Sequence, residues 1–261
     1  YLGIDPTGPS LHLGHTIPLL FLKQLLSIGH KPVLVIGDFT AMIGDPTGKD
    51  SARKALSEQE IKDNLKSYLD QISKIIAQES FEVNFNSSWL SKISLEEFMH
   101  ISSLVSVYQL EDRSLFQERR KKGNFLGVNE FLYPVFQGYD SVAMKIDGEV
   151  GGSDQVFNML MGRDLEKKIL KKDKLVFATR LLEDPKSGKK MSKTEKGLIS
   201  LSDPPLEMFG KTMKTVADEM IAAVFELCTE KPIDWIEERK KDGLKNPHEF
   251  KKELAFELVR I

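Results

Sequence analysis

Apolar positions along the chain follow two alternating periods, one of about 2 residues and one of about 3.6. "YLGID" at 1–5 reads as a short strand, and "DPTGPS" turns the chain. Leu13, Ile17, Leu20 and Leu25 then recur at helical spacing up to Gly29. "KPVLVIGD" has the continuous apolar run of a buried parallel strand. Ser57 and Glu60 form a capping box ahead of Ile61, Leu65, Tyr68, Leu69, Ile72, Ile75 and Ile76, which predicts one amphipathic helix. "FEVNF" reads as a strand, and Ser94 with Glu97 opens another capped helix. Residues from about 95 to 128 are charge-rich and helical, and read as an insertion. "NEFLYPVFQGYDSVAM" predicts an apolar helix, "GEVGGSDQVFNMLMGRDLEKK" a turn and a helix, and "LVFATRLL" a last strand. From Asp203, a helix start with proline just inside, the pattern is helical to the end. Alternating strands and helices predict an α/β fold with a parallel sheet over residues 1–200, interrupted at about 95–128, and an all-helical domain over 201–261.

Composition narrows the partners. With 261 residues and 41% hydrophobic content, the chain can bury one large domain and a smaller one. Charged residues make up 29% and the formal net charge is -2, so no global basic field marks nucleic acid, and any polyanion meets a local patch. "ERRKKG" (118–123), "EKKILKKDK" (166–174) and "EERKKDGLK" (237–245) read first as solvated faces and only second as RNA contacts. The single cysteine, Cys228, excludes a disulfide framework, fits a reducing cytoplasm and reads as a small buried hydrophobe. No apolar run reaches the roughly 20 residues of a membrane span. No leader-like segment precedes the first strand, and the chain opens without methionine, so a trimmed form is expected.

His12 and His15 in "HLGH" suggest a metal, yet zinc needs three or four ligands, and His30, His100, His248 and Cys228 are scattered. Spaced i, i+3 in a first helical turn, the pair instead suits an anion at unpaired backbone N–H groups, with Gly14 permitting close approach. A satisfied structural pair with no ligand fits the same spacing. The strand, glycine-bearing turn and helix that hold the pair match a Rossmann-like sheet, which binds nucleotides at its carboxyl edge. Far downstream, "SGKKMSKTEKG" carries Lys189, Lys190 and Lys193 on a loop. Such a loop is either solvated surface or a means of bringing ammonium groups to a departing pyrophosphate. "GDPTGKDSAR" is not a phosphate-binding loop of the Walker type: the residue five before Gly48 is Ile43, and Asp50 follows Lys49.

"HLGH" followed by "KMSKT" resembles the HIGH and KMSKS signatures of class I aminoacyl-tRNA synthetases. "YLGIDPTGPSLHLGH", "IGDFTAMIGDPTGK", "EFLYPVFQGYDS" and "GGSDQ", in that order across nearly the whole chain, are similar to the bacterial tyrosyl-tRNA synthetases. Leu13 and Thr194 depart from the signatures, and the family's short N-terminal segment and C-terminal RNA-binding domain are expected to be missing, leaving 201–261 as an incomplete anticodon-side domain.

The resemblance implies a role for each matching residue. Tyr1 and Asp140 hold the phenol of L-tyrosine, while Thr40, Asp45, Tyr133 and Gln137 surround its ammonium. Gly3, Asp5, Gly151, Gly152, Ser153, Asp154 and Gln155 meet the adenosine end of ATP, Asp154 through ribose hydroxyls, and Gly14 also binds ATP. Lys49 and Arg53 contact the triphosphate. His12, His15, Lys190 and Lys193 act on the phosphates in forming tyrosyl-adenylate, before transfer to the 3′ end of tRNA(Tyr). Mg2+ is carried with ATP, and no protein metal ligand is assigned. A cytoplasmic homodimer is implied, with Phe98, Ile101, Leu104 and Val105 facing the second copy. Three rivals stay open: a tryptophanyl-tRNA synthetase, whose indole offers one donor and no phenolic oxygen; another nucleotidyltransferase; and a catalytically silent RNA-binding relative.

Overall fold

The computed structural model describes residues 1–46, 56–183, 198–243 and 245–261. Among them, β1 (Leu2–Ile4), β2 (Val33–Ile36), β3 (Glu82–Phe85), β4 (Gly148–Gly152) and β5 (Leu175–Thr179) form one parallel sheet in the order β3-β2-β1-β4-β5. Leu2 lies opposite both Leu34 and Val150, and Ile4 opposite Ile36. Leu34, Val35 and Ile36 are buried, as their unbroken apolar run predicts for a strand covered on both faces. The order runs one way from β1 through β2 to β3 and the other way through β4 to β5. That reversal opens a crevice at the carboxyl ends of β1 and β4.

The chain forms two compact units, residues 1–9, 31–66 and 81–179 in the first and 10–30, 67–80 and 180–261 in the second. A linear boundary near residue 200 does not describe this division. The second unit takes in α1 (Leu13–Ser27) because Leu13 and Ile17 share one core with Val224, Phe225 and Cys228 of α12 (Ile221–Cys228) and Leu254 of α14 (Pro247–Val259). The helix predicted across 58–76 is also split. After α3 (Glu58–Leu65), whose Ser57 and Glu60 form the expected capping box, the chain breaks at Lys66 and Ser67 and resumes as α4 (Tyr68–Ser73) in the second unit. There Gln71 accepts from Leu11 N at 2.7 Å and donates to Ser67 Oγ at 2.9 Å.

The first unit holds the whole sheet, α2 (Thr40–Ile43), α3 and α5 (Ser87–Leu90). The predicted insertion is helical: α6 (Leu95–Ser103), α7 (Val107–Glu111) and α8 (Ser114–Lys121). Two long helices complete the unit, α9 (Val128–Met144) and α10 (Val156–Leu170). They approach closely at paired glycines, since a Cβ on Gly138 would lie 3.1 Å from Gly162 N. Ile101 and Leu110 pack with Val135, Val142, Met161 and Leu165, and Leu104 and Val105 lie against the same core. Phe98 stacks on Phe136 with ring centroids 5.7 Å apart. Of the four residues expected to face a second copy, Ile101 is buried in its own unit, while Phe98, Leu104 and Val105 are half-buried.

The second unit also contains α11 (Pro205–Thr215) and α13 (Ile233–Gly243). Pro204, not Asp203, precedes α11; Asp203 accepts from Ser200 N and pairs with Lys211 at 2.7 Å. Burial pushes the Cys228 thiol up to about 12, so it is an inert core group. The basic runs are not wholly solvated: Arg119 is buried against Glu130 at 3.1 Å, and Lys174 is buried against Glu149. Among the described residues no helix is long and apolar enough to cross a membrane.

Candidate active site

Asp5 directly follows β1, at the crevice where the strand order reverses. Its Oδ1 accepts from Thr40 Oγ1 at 2.7 Å and its Oδ2 from the Tyr133 hydroxyl at 2.8 Å. Gly37 follows β2, and a Cβ there would lie 1.9 Å from Asp5 Oδ1, so only glycine leaves room for the carboxylate. Asn86 follows β3 and donates to Thr40 Oγ1 at 3.0 Å and to Asp140 Oδ2 at 3.3 Å. Trp89 Nε1 donates to Asp140 Oδ1 at 2.8 Å. The ends of β1 and β3 thus bring Asp5 to Tyr133 and Asn86 to Asp140, two turns apart on α9, with Thr40 bonded between Asp5 and Asn86. Burial holds the Asp140 carboxyl well above the usual carboxylate range despite those two donors. Burial and the Asp5 carboxylate raise the Tyr133 phenol.

A second hydrogen-bonded chain runs along the same helix. Gln137 donates to Glu149 Oε1 at 3.1 Å and accepts from Asn158 at 2.8 Å. Asn158 also donates to Gln155 Oε1 at 2.8 Å, and Gln155 Nε2 donates to Asp45 Oδ2 at 2.8 Å. Asp45 pairs with Arg113 at 3.4 Å, whose guanidinium lies 5.1 Å from the centroid of the Phe116 ring. At the other end, Tyr1 Oη is 3.2 Å from Ser141 Oγ, which accepts from Lys174 Nζ at 2.8 Å. Tyr1 and Asp140 are both buried and are not bonded to each other, and burial together with Glu149 and Asp140 raises the Tyr1 phenol.

Tyr1, Asp5, Thr40, Asp45, Tyr133, Gln137, Asp140 and Gln155 are therefore brought together within the first unit. Gly3 is in β1 and Gly151 in β4, while Asp154 is half-buried in the turn after β4. Ser153 opens that turn, and no side-chain hydrogen bond caps it. Sequence reasoning missed Asn86, Trp89, Arg113, Ser141, Glu149, Asn158 and Lys174. One signal for Asn86 was available: it directly follows a parallel strand, as Asp5 and Gly37 do.

In the second unit His12 is the N-cap of α1 and His15 its third residue, so the pair forms a capping box. His12 Nδ1 accepts from Gly14 N and His15 Nδ1 from His12 N, both at 3.1 Å. With both Nδ1 atoms accepting, each neutral ring carries its proton on Nε2. Burial lowers His12 to about 4 and His15, which also feels His12, to about 3. A Cβ on Gly14 would sit 3.0 Å from His12 Cε1, so that glycine makes room for the imidazole itself. Leu13 N donates to Ile199 O and Leu201 N to Leu11 O, both at 2.9 Å. The stretch just after the lysine loop is thereby bonded to the histidine segment. Lys49, Arg53, Lys189, Lys190 and Lys193 lie outside the described residues. Among the described residues no group of three or more His, Cys, Asp or Glu side chains could hold a metal ion.

The family model for class I tRNA synthetases (W and Y) matches residues 1–261. The chain belongs to that family. Among class I synthetases, the tyrosine–tRNA ligase of Carboxydothermus hydrogenoformans is 43% identical over 261 residues, covering 99% of this chain and 63% of that protein. The chain thus spans less than two thirds of that relative. A C-terminally truncated mitochondrial tyrosyl-tRNA synthetase of Coccidioides posadasii superposes with a TM-score of 0.77 at 25% identity, over 99% of this chain and 78% of that one. The fold is shared with a tyrosyl-tRNA synthetase of Archaeoglobus fulgidus complexed with L-tyrosine, at a TM-score of 0.77 and 20% identity, over 100% of this chain and 86% of that one.

Proposed function

We propose that this class I synthetase chain is the catalytic part of a tyrosine–tRNA ligase, activating L-tyrosine with ATP and passing the tyrosyl group to the 3′ end of tRNA(Tyr). The observation that carries the reading is the buried polar pair Tyr1 and Asp140, each held by neighbours and neither bonded to the other. A phenol inserted there both donates and accepts. Phenylalanine would leave the buried partners unpaired, and an indole would satisfy one of them.

Tyr133, Gln137, Thr40 and Asp45 then surround the substrate ammonium. Gly3, Asp5, Gly151, Asp154 and Gln155 take the adenosine side of ATP, with Asp154 accepting from ribose hydroxyls, and Gly14 also binds ATP. One carboxylate oxygen of tyrosine attacks the α-phosphorus in line, the bond to the bridging oxygen breaks, and pyrophosphate leaves. His12 and His15 serve as neutral donors through Nε2, at a helix N-terminus that already favours phosphate. Lys49 and Arg53 meet the triphosphate, and Lys190 and Lys193 stabilise the leaving group. Mg2+ would be carried on the phosphate oxygens of ATP and would supply charge neutralisation there, with no protein ligand assigned to it.

The reading also implies a homodimer working in the cytoplasm. Beside the half-buried Phe98, Leu104 and Val105, the outward apolar side chains of the same region, Leu95, Met99, Val107, Tyr108, Phe125 and Val128, supply the face. ATP–pyrophosphate exchange measured in parallel with tyrosine, tryptophan and phenylalanine tests the activity. Exchange with tyrosine alone is expected. Preference for tryptophan overturns the substrate, and silence with all three overturns the enzyme.

A further inference from the structure

Lys174 closes a basic run yet is buried, and Gly162 is what makes space for it: a Cβ there would lie 2.5 Å from Lys174 Nζ and 2.8 Å from Ser141 Oγ. The ammonium pairs with buried Glu149, donates to Ser141 Oγ at 2.8 Å and lies 5.8 Å from the Tyr1 ring centroid. Glu149 in turn accepts from Gln137 Nε2 at 3.1 Å. One ion pair therefore grips two side chains of the tyrosine pocket at once, Tyr1 through Ser141 and Gln137 directly. A buried pair of this kind adds little stability over apolar residues of similar size. Its presence calls for a role other than holding the fold together.

A chain of fixed contacts supplies that role. An ammonium only donates, so Ser141 Oγ accepts from Lys174, and Tyr1 Oη lies 3.2 Å from the oxygen so held, with either hydroxyl able to donate. The ammonium thereby fixes the place of Ser141 Oγ and, through it, that of the Tyr1 hydroxyl. Without the ammonium, Ser141 loses that partner and the Tyr1 hydroxyl its fixed neighbour. On the other side, Glu149 accepts only, which fixes the Gln137 amide nitrogen toward it and the amide oxygen toward Asn158.

We propose that the Lys174–Glu149 pair is a positioning device for substrate selection: through Ser141 it holds the Tyr1 hydroxyl in place to meet the phenolic oxygen of the amino acid, and it locks the Gln137 amide. The inference rests on the tyrosine-ligase reading and deepens it.

The test compares the unaltered protein with Lys174→Met, the double variant Lys174→Met/Glu149→Leu, and Ser141→Ala, each assayed by ATP–pyrophosphate exchange at varied tyrosine, phenylalanine and ATP and by thermal unfolding. Lys174→Met alone strands the Glu149 carboxylate and is expected to lose stability. The double variant removes both charges and is expected to recover it. In all three variants the ratio of kcat/KM for tyrosine to that for phenylalanine is expected to fall about tenfold, the worth of one misplaced hydrogen bond. The loss should lie in KM for tyrosine, with KM for ATP within about twofold. A double variant that regains both stability and the original ratio makes the pair structural and overturns the proposal. Retention of the ratio in Ser141→Ala, which keeps the ion pair, overturns it as well. Absence of tyrosine-dependent exchange in the unaltered protein strikes the ligase reading itself, a result distinct from either.

Discussion

At the carboxyl edge of the sheet, the first unit holds half-buried Asp5 and buried Thr40, Asn86, Tyr133 and Asp140 bonded side chain to side chain across several elements. The second unit keeps a core of Leu13, Ile17, Val224, Phe225, Leu254 and Leu258, and its buried Thr16, Thr212 and Thr229 turn their hydroxyls to carbonyls three or four residues back. Local back-bonds satisfy a hydroxyl without specifying a neighbour. Bonds between remote side chains fix directions in space, and a half-satisfied set is costly. The first arrangement suits recognition of a polar ligand, the second cohesion of a helical unit.

The largest effect that would sharpen this contrast is loss of a large core side chain. Phe225 packs on Phe250 and Trp235 with centroids 5.1 and 5.3 Å away. Phe225→Ala should cost about 3–5 kcal/mol in urea unfolding, while the tyrosine KM of the folded fraction stays within about twofold. A large rise in that KM would erase the distinction between the units. Next in size, Asp140→Asn keeps the volume but removes one acceptor oxygen and leaves Trp89 or Asn86 short of a partner. It should raise the tyrosine KM by about a hundredfold, equivalent to about 2.7 kcal/mol, with a smaller loss of unfolding free energy. The reverse emphasis would make the network structural.

The smallest effect concerns acid. Burial holds His12 at about 4 and His15 at about 3, below the usual 6.5, so the unfolded chain takes up protons that the folded chain refuses. Stability contributed by each neutral ring is full above about pH 6.5 and is lost as pH falls toward the folded values. Between pH 6.5 and 5.5 each histidine should remove about 1 kcal/mol. Asp140, raised by burial, acts in the opposite sense. The quantity to measure is therefore the difference in urea midpoint profiles between the unaltered protein and His15→Gln. Parallel profiles would mean that the rings titrate normally.

Much of the candidate site was legible in the sequence. Tyr133, Gln137 and Asp140 recur at i, i+4 and i+7, so a helical period alone places them on one face. The "HLGH" and "GGSDQ" stretches announce turns ahead of helices. Glu149 and Lys174 were not legible, because one sits in a glycine-bearing strand and the other ends a run of surface-like lysines. Nor was Trp89, whose indole is aimed by a short helix that no periodicity marks.

Local pattern by itself determined four of the five strands, most helices and the order of the motifs, because propensity, capping and hydrophobic period act over a few residues; it read the glycine-bearing β4 as a turn. Tertiary structure alone decided that β1 lies between β2 and β4 and that Gly162 vacates room for a buried ammonium. It also decided that α1 and α4 join the C-terminal helices. Strand order in a parallel sheet and the sharing of a core depend on crossovers and packing between segments up to about two hundred residues apart, and no local preference encodes those.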